Sequence, residues 1–411
     1  MAVAAIALAP VAAAGQIYGG AAKPVFQGPP MTAPAMTLTP AAFAELPGWG
    51  DDDHLAAWKA FLASCKPVLS AHKSGAKTGA TPSSRGLIDV CELALLVASR
   101  GTAQTRASAR AFFEAHFTPH RVTQSAGEGL LTGYYEPLIK GARVADGTFQ
   151  TPVYKRPADL VNVVAESERG AKSHAFTHLR QTDKGLVPYL TRAEIEQGAL
   201  KGQSLELLYF RDPVDVFFMQ IQGSGRVELP DGEKVRITYD GKNGYPYTSI
   251  GRHLIEAGDL APESMSLKAL SVWLKADRTR AEQIMWKNQS YVFFRELKGT
   301  EAEGAMGVLG IPLQTGRSLA VDTAFHAIGT PVYVSAPALT HASKAGAGFA
   351  RLMIAHDVGS AIKGPERGDI FFGSGDTAGR TAGVTKHPGT FHILVPASDG
   401  LVASKAPERR P

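Results

Sequence analysis

The feature that most constrains this chain is a change of pattern at Phe117. Before it, apolar residues recur at helical spacing. After it come short runs of β-branched and aromatic residues, each closed by Gly, Pro or Asp. LELLYF (205–210), VFFMQI (216–221), VRITY (235–239), PVYVSA (331–336), RLMIAH (351–356), DIFFG (369–373) and TFHILV (390–395) read as strands. One helical stretch interrupts them, from Met265 to about Lys287, with Leu267, Leu270, Val272, Trp273 and Leu274 at its apolar positions. Upstream, Asp51, Asp52 and Asp53 precede Leu55, Trp58, Phe61, Leu62 and Leu69, which signals a capped helix, and 86–100 and 105–117 read as two more. The pattern predicts an α+β protein, mainly β with helices, without internal repeats. Cys65 and Cys91 fall on the first two helices, as either a disulfide of an exported protein or two buried thiols.

The first residues, MAVAAIALAPVAAAG, form an apolar run with small residues near its end, and 1–19 reads as a signal sequence. An alanine-rich tail is the alternative. The run falls short of the roughly 18 apolar residues a membrane span needs. No cysteine follows it, so a lipobox anchor is not expected. Residues 20–45, rich in Ala, Pro, Gly and Thr, read as a flexible tether, and 403–411 as a polar tail. A net charge of +5, from 43 basic against 38 acidic side chains, with no basic run, predicts no nucleic-acid partner. Two cysteines exclude a disulfide scaffold, and twelve scattered histidines without metal-site spacing predict no metal and no cofactor.

Several apparent motifs fail on context. Asp357-Val358-Gly359 and Asp376-Thr377-Ala378-Gly379 lie too close together for a two-lobed aspartic protease. Gly373-Ser374-Gly375 with Gly379 follows no βα pattern, and Gly223-Ser224-Gly225 lacks the flanks of a nucleophile elbow. The informative segment is 351–379, which sets Asp357 and Asp369 at the ends of apolar strand-like runs. A carboxyl group there is partly desolvated, which raises its pKa and keeps a proton available for general-acid work. The paired tyrosines of LLTGYYEP (130–137) suit stacking on sugar rings. Gln220 and Gln222 would share one face of a strand and offer amides to sugar hydroxyls or acetamido groups. YDGKNGYPYTSIGR (239–252) adds a second aromatic, amide-rich stretch.

These stretches, with SYVFFRE (290–296), GAMGVLGIPLQTGRSLAVD (304–322) and HDVGSAIKGPERGDIFFGSG (356–375), follow one order over most of 128–380. In that order they resemble the membrane-bound lytic murein transglycosylase A family. The last two also resemble the three-aspartate module of double-psi β-barrels, whose aspartates fall at Asp322, Asp357 and Asp369. The resemblance implies a double-psi β-barrel domain with N-terminal helices over 46–140 plus 245–402. A smaller β domain is inserted over 141–244, with a glycan groove between the two. It implies a peptidoglycan lytic exotransglycosylase, a carbon–oxygen lyase that cleaves the β-1,4 MurNAc–GlcNAc bond without water and leaves 1,6-anhydro-MurNAc ends. Asp369 would be the acid/base and Asp357 a supporting carboxylate. Thr132, Gly133, Tyr134, Tyr135, Glu136, Gln220, Gln222, Gly223, Ser224, Asn243 and Asp322 would hold the substrate. The expected partners are peptidoglycan glycan strands and, loosely, the outer membrane or cell-wall synthesis and division proteins. The expected state is an exported periplasmic monomer. Two other readings stay open: a hydrolase pairing Asp369 with Asp357 or Glu136, and a glycan-binding barrel without activity.

Overall fold

A computed structural model describes residues 35–399 apart from 103, 126, 165–175, 299–304 and 344–345. The expected signal sequence and polar tail lie outside the described residues. The chain opens with β1 (Met36–Pro40), α1 (His54–Ser74), α2 (Arg85–Ser99) and α3 (Arg106–His116). Eight strands and two helices follow: β2 (Phe117–Gln124), β3 (Leu130–Glu136), β4 (Leu138–Ala142), β5 (Thr151–Tyr154), β6 (Leu160–Asn162), β7 (His178–Thr182), β8 (Gly185–Val187), α4 (Arg192–Glu194), β9 (Glu206–Phe210) and α5 (Pro213–Gln222). Next come β10 (Ser224–Glu228), β11 (Lys234–Lys242), α6 (Ile250–Glu256), α7 (Leu267–Ala276), α8 (Arg278–Met285) and β12 (Val292–Glu296). The last part holds β13 (Ser318–Val321), β14 (Pro331–Ala336), β15 (Phe349–Asp357), β16 (Arg367–Ser374), α9 (Gly375–Ala382), β17 (Lys386–Pro388) and β18 (Thr390–Pro396).

The N-terminal helices form where caps and periodicity agree. Asp53 caps α1 by accepting from the Ala56 amide at 3.1 Å, and Ser84 caps α2 by accepting from Leu87 at 3.1 Å. Trp58 and Phe61 each meet Phe113 edge-on, and all three lie in one buried cluster with Leu352 and Ile354 of β15. Each such ring contributes about 1.5–3 kcal/mol by leaving water. A disulfide joins Cys65 of α1 to Cys91 of α2, the first of the two alternatives left open above. Arg317 donates twice to the Asp52 carboxylate, at 2.7 and 2.8 Å, and so locks the start of α1 to the head of β13.

Nine strands form one sheet in the order β1-β2-β18-β14-β15-β13-β16-β3-β17. β13 runs parallel to β15 and β16 runs parallel to β3, while β13 and β16 are antiparallel. A second sheet of six strands runs β12-β11-β10-β4-β9-β5, and a third runs β6-β7-β8. The described residues thus form an α+β fold.

Three sequence expectations need correction. Residues 36–40 are not tether: β1 pairs antiparallel with β2 from Met36↔Gln124 to Pro40↔His120. Its exposed edge tolerates the polar Thr-Leu-Thr composition that mimics a linker. The VFFMQI run is not a strand but the body of α5, so Gln220 and Gln222 stand on a helix. Asp212 caps it, Pro213 opens it and Gly223 (φ 78°) closes it, while Val216 and Met219 pack on the six-stranded sheet and Val214, Phe217 and Phe218 on α6–α8. A helix covered on both sides loses its amphipathic period. The 265–287 stretch is two helices, because Asp277 leaves the helical path and caps α8 from the Arg280 amide at 3.0 Å.

Candidate active site

The two acidic strand ends meet through β13. Asp357 on β15 and Asp369 on β16 both stand opposite Ala320, and Thr132 on β3 stands opposite Asp369. Asp357, Ala320, Asp369 and Thr132 therefore form one transverse row across four strands. Strand spacing sets the backbones of the two aspartates about 10 Å apart. A register shift between Leu319 and Ala320 brings Asp357 into this row.

Asp369 is held through one oxygen and Asp357 through both. Thr132 donates its hydroxyl to Asp369 Oδ1 at 2.5 Å. Tyr134 donates to Asp357 Oδ2 at 2.9 Å, and the Val358 amide donates to Oδ1 at 2.9 Å. Both groups sit deep among protein atoms at the floor of a cleft, so part of each still meets solvent. Burial raises the Asp369 pKa, against the opposing effects of the Arg367 charge and the Thr132 hydrogen bond. Burial, aided by the Asp369 charge, pushes Asp357 up to about 7, against the Val358 and Tyr134 hydrogen bonds. Burial and both aspartates hold the Tyr134 phenol in its neutral, donating form.

The cleft has a volume of about 860 Å³. The nine-stranded sheet contributes Thr132, Tyr134, Asp357, Arg367 and Asp369, and the six-stranded sheet contributes Ser224, Thr238, Val292 and Arg295. Gln220 and Gln222 at the end of α5 and the 306–310 and 358–363 loops add to its lining. Leu309 takes a left-handed backbone (φ 58°) on the rim, a strained conformation for a branched side chain. Asp322 also lines the cleft, but its Oδ2 accepts from the Gly364 amide at 2.9 Å, which anchors the loop between the two aspartates.

Of the sequence-derived binding residues, Thr132, Tyr134, Gln220, Gln222, Gly223, Ser224 and Asp322 line the cleft together with Asp357 and Asp369. Gln220 donates to the Val292 carbonyl at 3.3 Å, and Gln222 accepts from the Tyr135 amide at 3.1 Å. Four others stand elsewhere. A Cβ on Gly133 would meet Phe372 at 2.5 Å, so this glycine lets β3 pass close under α9. The Tyr135 ring packs against Gly379 of α9. Glu136 is buried, bound by Arg236 at 2.8 Å and by the Ser374 hydroxyl at 2.6 Å. Asn243 is fully buried and bridges the carbonyls of Leu190 and Gln289 and the Tyr291 amide. Sequence reasoning missed Arg367, although it sits two residues before Asp369 on the same strand face. It also missed Lys363, Arg295 and the 306–310 loop.

Fold and site together define an α+β protein with two recognisable modules. Residues 130–295 match the family model for the MltA specific insert domain, and 317–395 match that for the 3D domain. The chain belongs to the membrane-bound lytic murein transglycosylase A family. A crystal structure of membrane-bound lytic murein transglycosylase from Agrobacterium tumefaciens is 35% identical with a TM-score of 0.78, over 89% of this chain and 99% of that one. The crystal structure of Escherichia coli MltA with bound chitohexaose is 26% identical with a TM-score of 0.61, over 89% of this chain and 95% of that one. The Vibrio cholerae protein named membrane-bound lytic murein transglycosylase A is 37% identical over 266 residues, and this match spans 64% of each chain. Among the described residues no helix is long and apolar enough to cross a membrane.

Proposed function

We propose that this chain is an exported peptidoglycan lytic transglycosylase that uses Asp369 as its single acid/base. The observation that carries the reading is the state of Asp369 at the cleft floor: burial raises its pKa, and Thr132 holds one oxygen while the group faces the cleft. Such a group starts protonated at a pH where an ordinary aspartate is ionised. It gives its proton to the glycosidic oxygen as the bond to the muramyl C1 breaks. The carboxylate then stabilises the oxocarbenium-like charge and takes the proton of the C6 hydroxyl, whose oxygen bonds C1. The carboxyl group is regenerated, and no water is consumed. Asp357 acts as support, its ionisation opposed by burial and by the Asp369 charge.

Support for a glycan substrate comes from the family's name and from the oligosaccharide in the Escherichia coli relative. A periplasmic site of action, with 1–19 as signal sequence, belongs to the same proposal. So does a two-domain division into a barrel over 46–140 plus 245–402 and an insert over 141–244, with β12 joining the insert's sheet. Hydrolysis by two carboxylates would need a second free one on the cleft. Glu136 is bound by Arg236 and Ser374 instead, and both Asp357 oxygens already accept hydrogen bonds.

The test is mass spectrometry of products released from purified sacculi. Wild type is expected to release anhydro-muropeptides. Asp369→Asn is expected to lose about 10²–10⁴-fold in rate while still binding sacculi, and Asp357→Asn to lose less. Rates should fall as pH rises through the elevated Asp369 pKa, because the acid must start protonated. Reducing muramyl ends, or near-normal release by Asp369→Asn, would overturn the reading.

A further inference from the structure

Arg367 stands on β16 two residues before Asp369, so both side chains leave the same face of the strand and both reach the cleft. Its Nη1 donates to the Gly368 carbonyl at 2.5 Å, which fixes the fork against its own backbone. Its Nη2 donates to the Thr132 hydroxyl at 2.8 Å. Guanidinium has donors only, so the Thr132 oxygen must accept that bond. The threonine's own proton is then left for its second partner, Asp369 Oδ1, at 2.5 Å. The chain of bonds has one direction: Arg367 to Thr132 to Asp369.

We propose that Arg367 is a positioning residue that acts through Thr132 to hold Oδ1 of Asp369 as an acceptor. Oδ2 is thereby left as the oxygen that carries the transferable proton. The proposal rests on the reading of Asp369 as the acid. It accounts for a cation on the floor of a site whose acid must stay protonated. Burial alone would drive the Asp369 pKa upward, and the nearby cation and the threonine hydroxyl oppose it. The other ionisable groups facing Asp369 come from its neighbours: Asp357 on β15 and Tyr134 on β3. β13 offers no charged side chain there, since it reads Ser-Leu-Ala-Val. On α9, Asp376 acts on Tyr135, and beyond the row Lys363 faces Asp322. The cation whose charge acts on Asp369 is therefore that of Arg367.

The sign follows directly. A neighbouring cation favours the carboxylate, so its removal raises the Asp369 pKa, and the protonated acid persists to higher pH. In Arg367→Met the alkaline limb of the rate–pH profile is expected to move up by about one pH unit, the low end of what an adjacent opposite charge does. Arg367→Lys, which keeps the cation, should stay closer to wild type. Thr132→Val should shift the limb in the same direction as Arg367→Met. The Asp369 titration is also read without activity, by ¹³C NMR of protein labelled at the aspartate carboxyl carbons, with its resonance identified by its loss in Asp369→Asn. The same upward shift is expected there. A titration and a rate limb in Arg367→Met that superimpose on wild type would overturn the proposal, as would equal shifts in Arg367→Met and Arg367→Lys. If wild type releases no anhydro-muropeptides, the proposed reaction fails, but the NMR titration still decides the role of Arg367. If Arg367→Met does not fold, Arg367→Lys and Thr132→Val carry the test: a wild-type titration in Thr132→Val overturns it.

Discussion

Asp357 carries a stability cost. Its folded pKa of about 7 stands above the ordinary aspartate value, so the native state prefers the protonated form. The stabilising effect of that proton is fully present below the unfolded pKa and is lost as pH rises through about 7. Asp357→Asn removes the ionisation. It is expected to gain about 2 °C or more in melting temperature near pH 8 compared with its change near pH 4, by calorimetry at both. Equal changes at the two pH values would refute the buried-carboxyl account. Tyr135 turns the other way. Its half-buried ring covers Gly379, and its amide binds Gln222. Tyr135→Ala is expected to cost about 2 kcal/mol in stability while sacculus affinity is kept, as measured by urea unfolding and pull-down. The sequence could not separate the two tyrosines of LLTGYYEP. They alternate across one strand, and which face meets the cleft depends on a partner strand about 240 residues away in sequence.

At the scale of elements, legibility tracked local signals. α1, α2 and α3 combine side-chain caps with apolar spacing, so the start of α1 and both ends of α2 and α3 were readable to within a residue or two. α5 was not, because two layers bury it and its only cues were at its ends, Asp212 with Pro213 and Gly223. β1 was hidden because an exposed edge strand needs no apolar face. The Cys65–Cys91 bridge closes a loop of 26 residues between α1 and α2, and its loss in Cys91→Ser is expected to cost about 3.5 kcal/mol by chain-entropy reasoning. The fall in denaturation midpoint on adding reductant to wild type should match that of the variant. On β15, His356 is fully buried beside Ser318, at 2.8 Å, and burial pulls its pKa down to about 3. It is neutral when folded, so its contribution is full above the unfolded pKa and is lost as pH falls from about 6.5 toward about 3. Melting temperature should drop across that window, and His356→Gln should flatten the slope. An unchanged slope would exclude His356 as its source.

At the scale of the molecule, the cleft was legible only as a set of segments. Its residues come from two sheets, the end of α5 and several loops, and a single sequence does not record how those sheets face one another. Glu136 is one of the ties. It leaves β3 of the nine-stranded sheet and binds Arg236 on β11 of the six-stranded sheet, with both side chains buried. Glu136→Gln is expected to cost about 3 kcal/mol, in line with breaking one side of a buried ion pair. The shift of one wall against the other should raise KM more than it lowers kcat, as steady-state release from sacculi would show. A loss confined to kcat would return Glu136 to the list of reacting carboxylates. The transverse row through Ala320 has a wider meaning. Asp357 and Asp369 hold their places by strand ladders, and the segment between them is tied down toward its end, where Asp322 binds the Gly364 amide, His326 meets the Pro365 carbonyl and Arg121 binds Glu366. Residues added or exchanged at 360 and 361 would remodel the wall of the cleft, where Ser360 and Ala361 are exposed, while the ladders keep both aspartates in place. The two aspartates and the loop that borders the cleft between them can therefore diverge independently, which makes that loop the natural place to breed new preferences around a fixed floor.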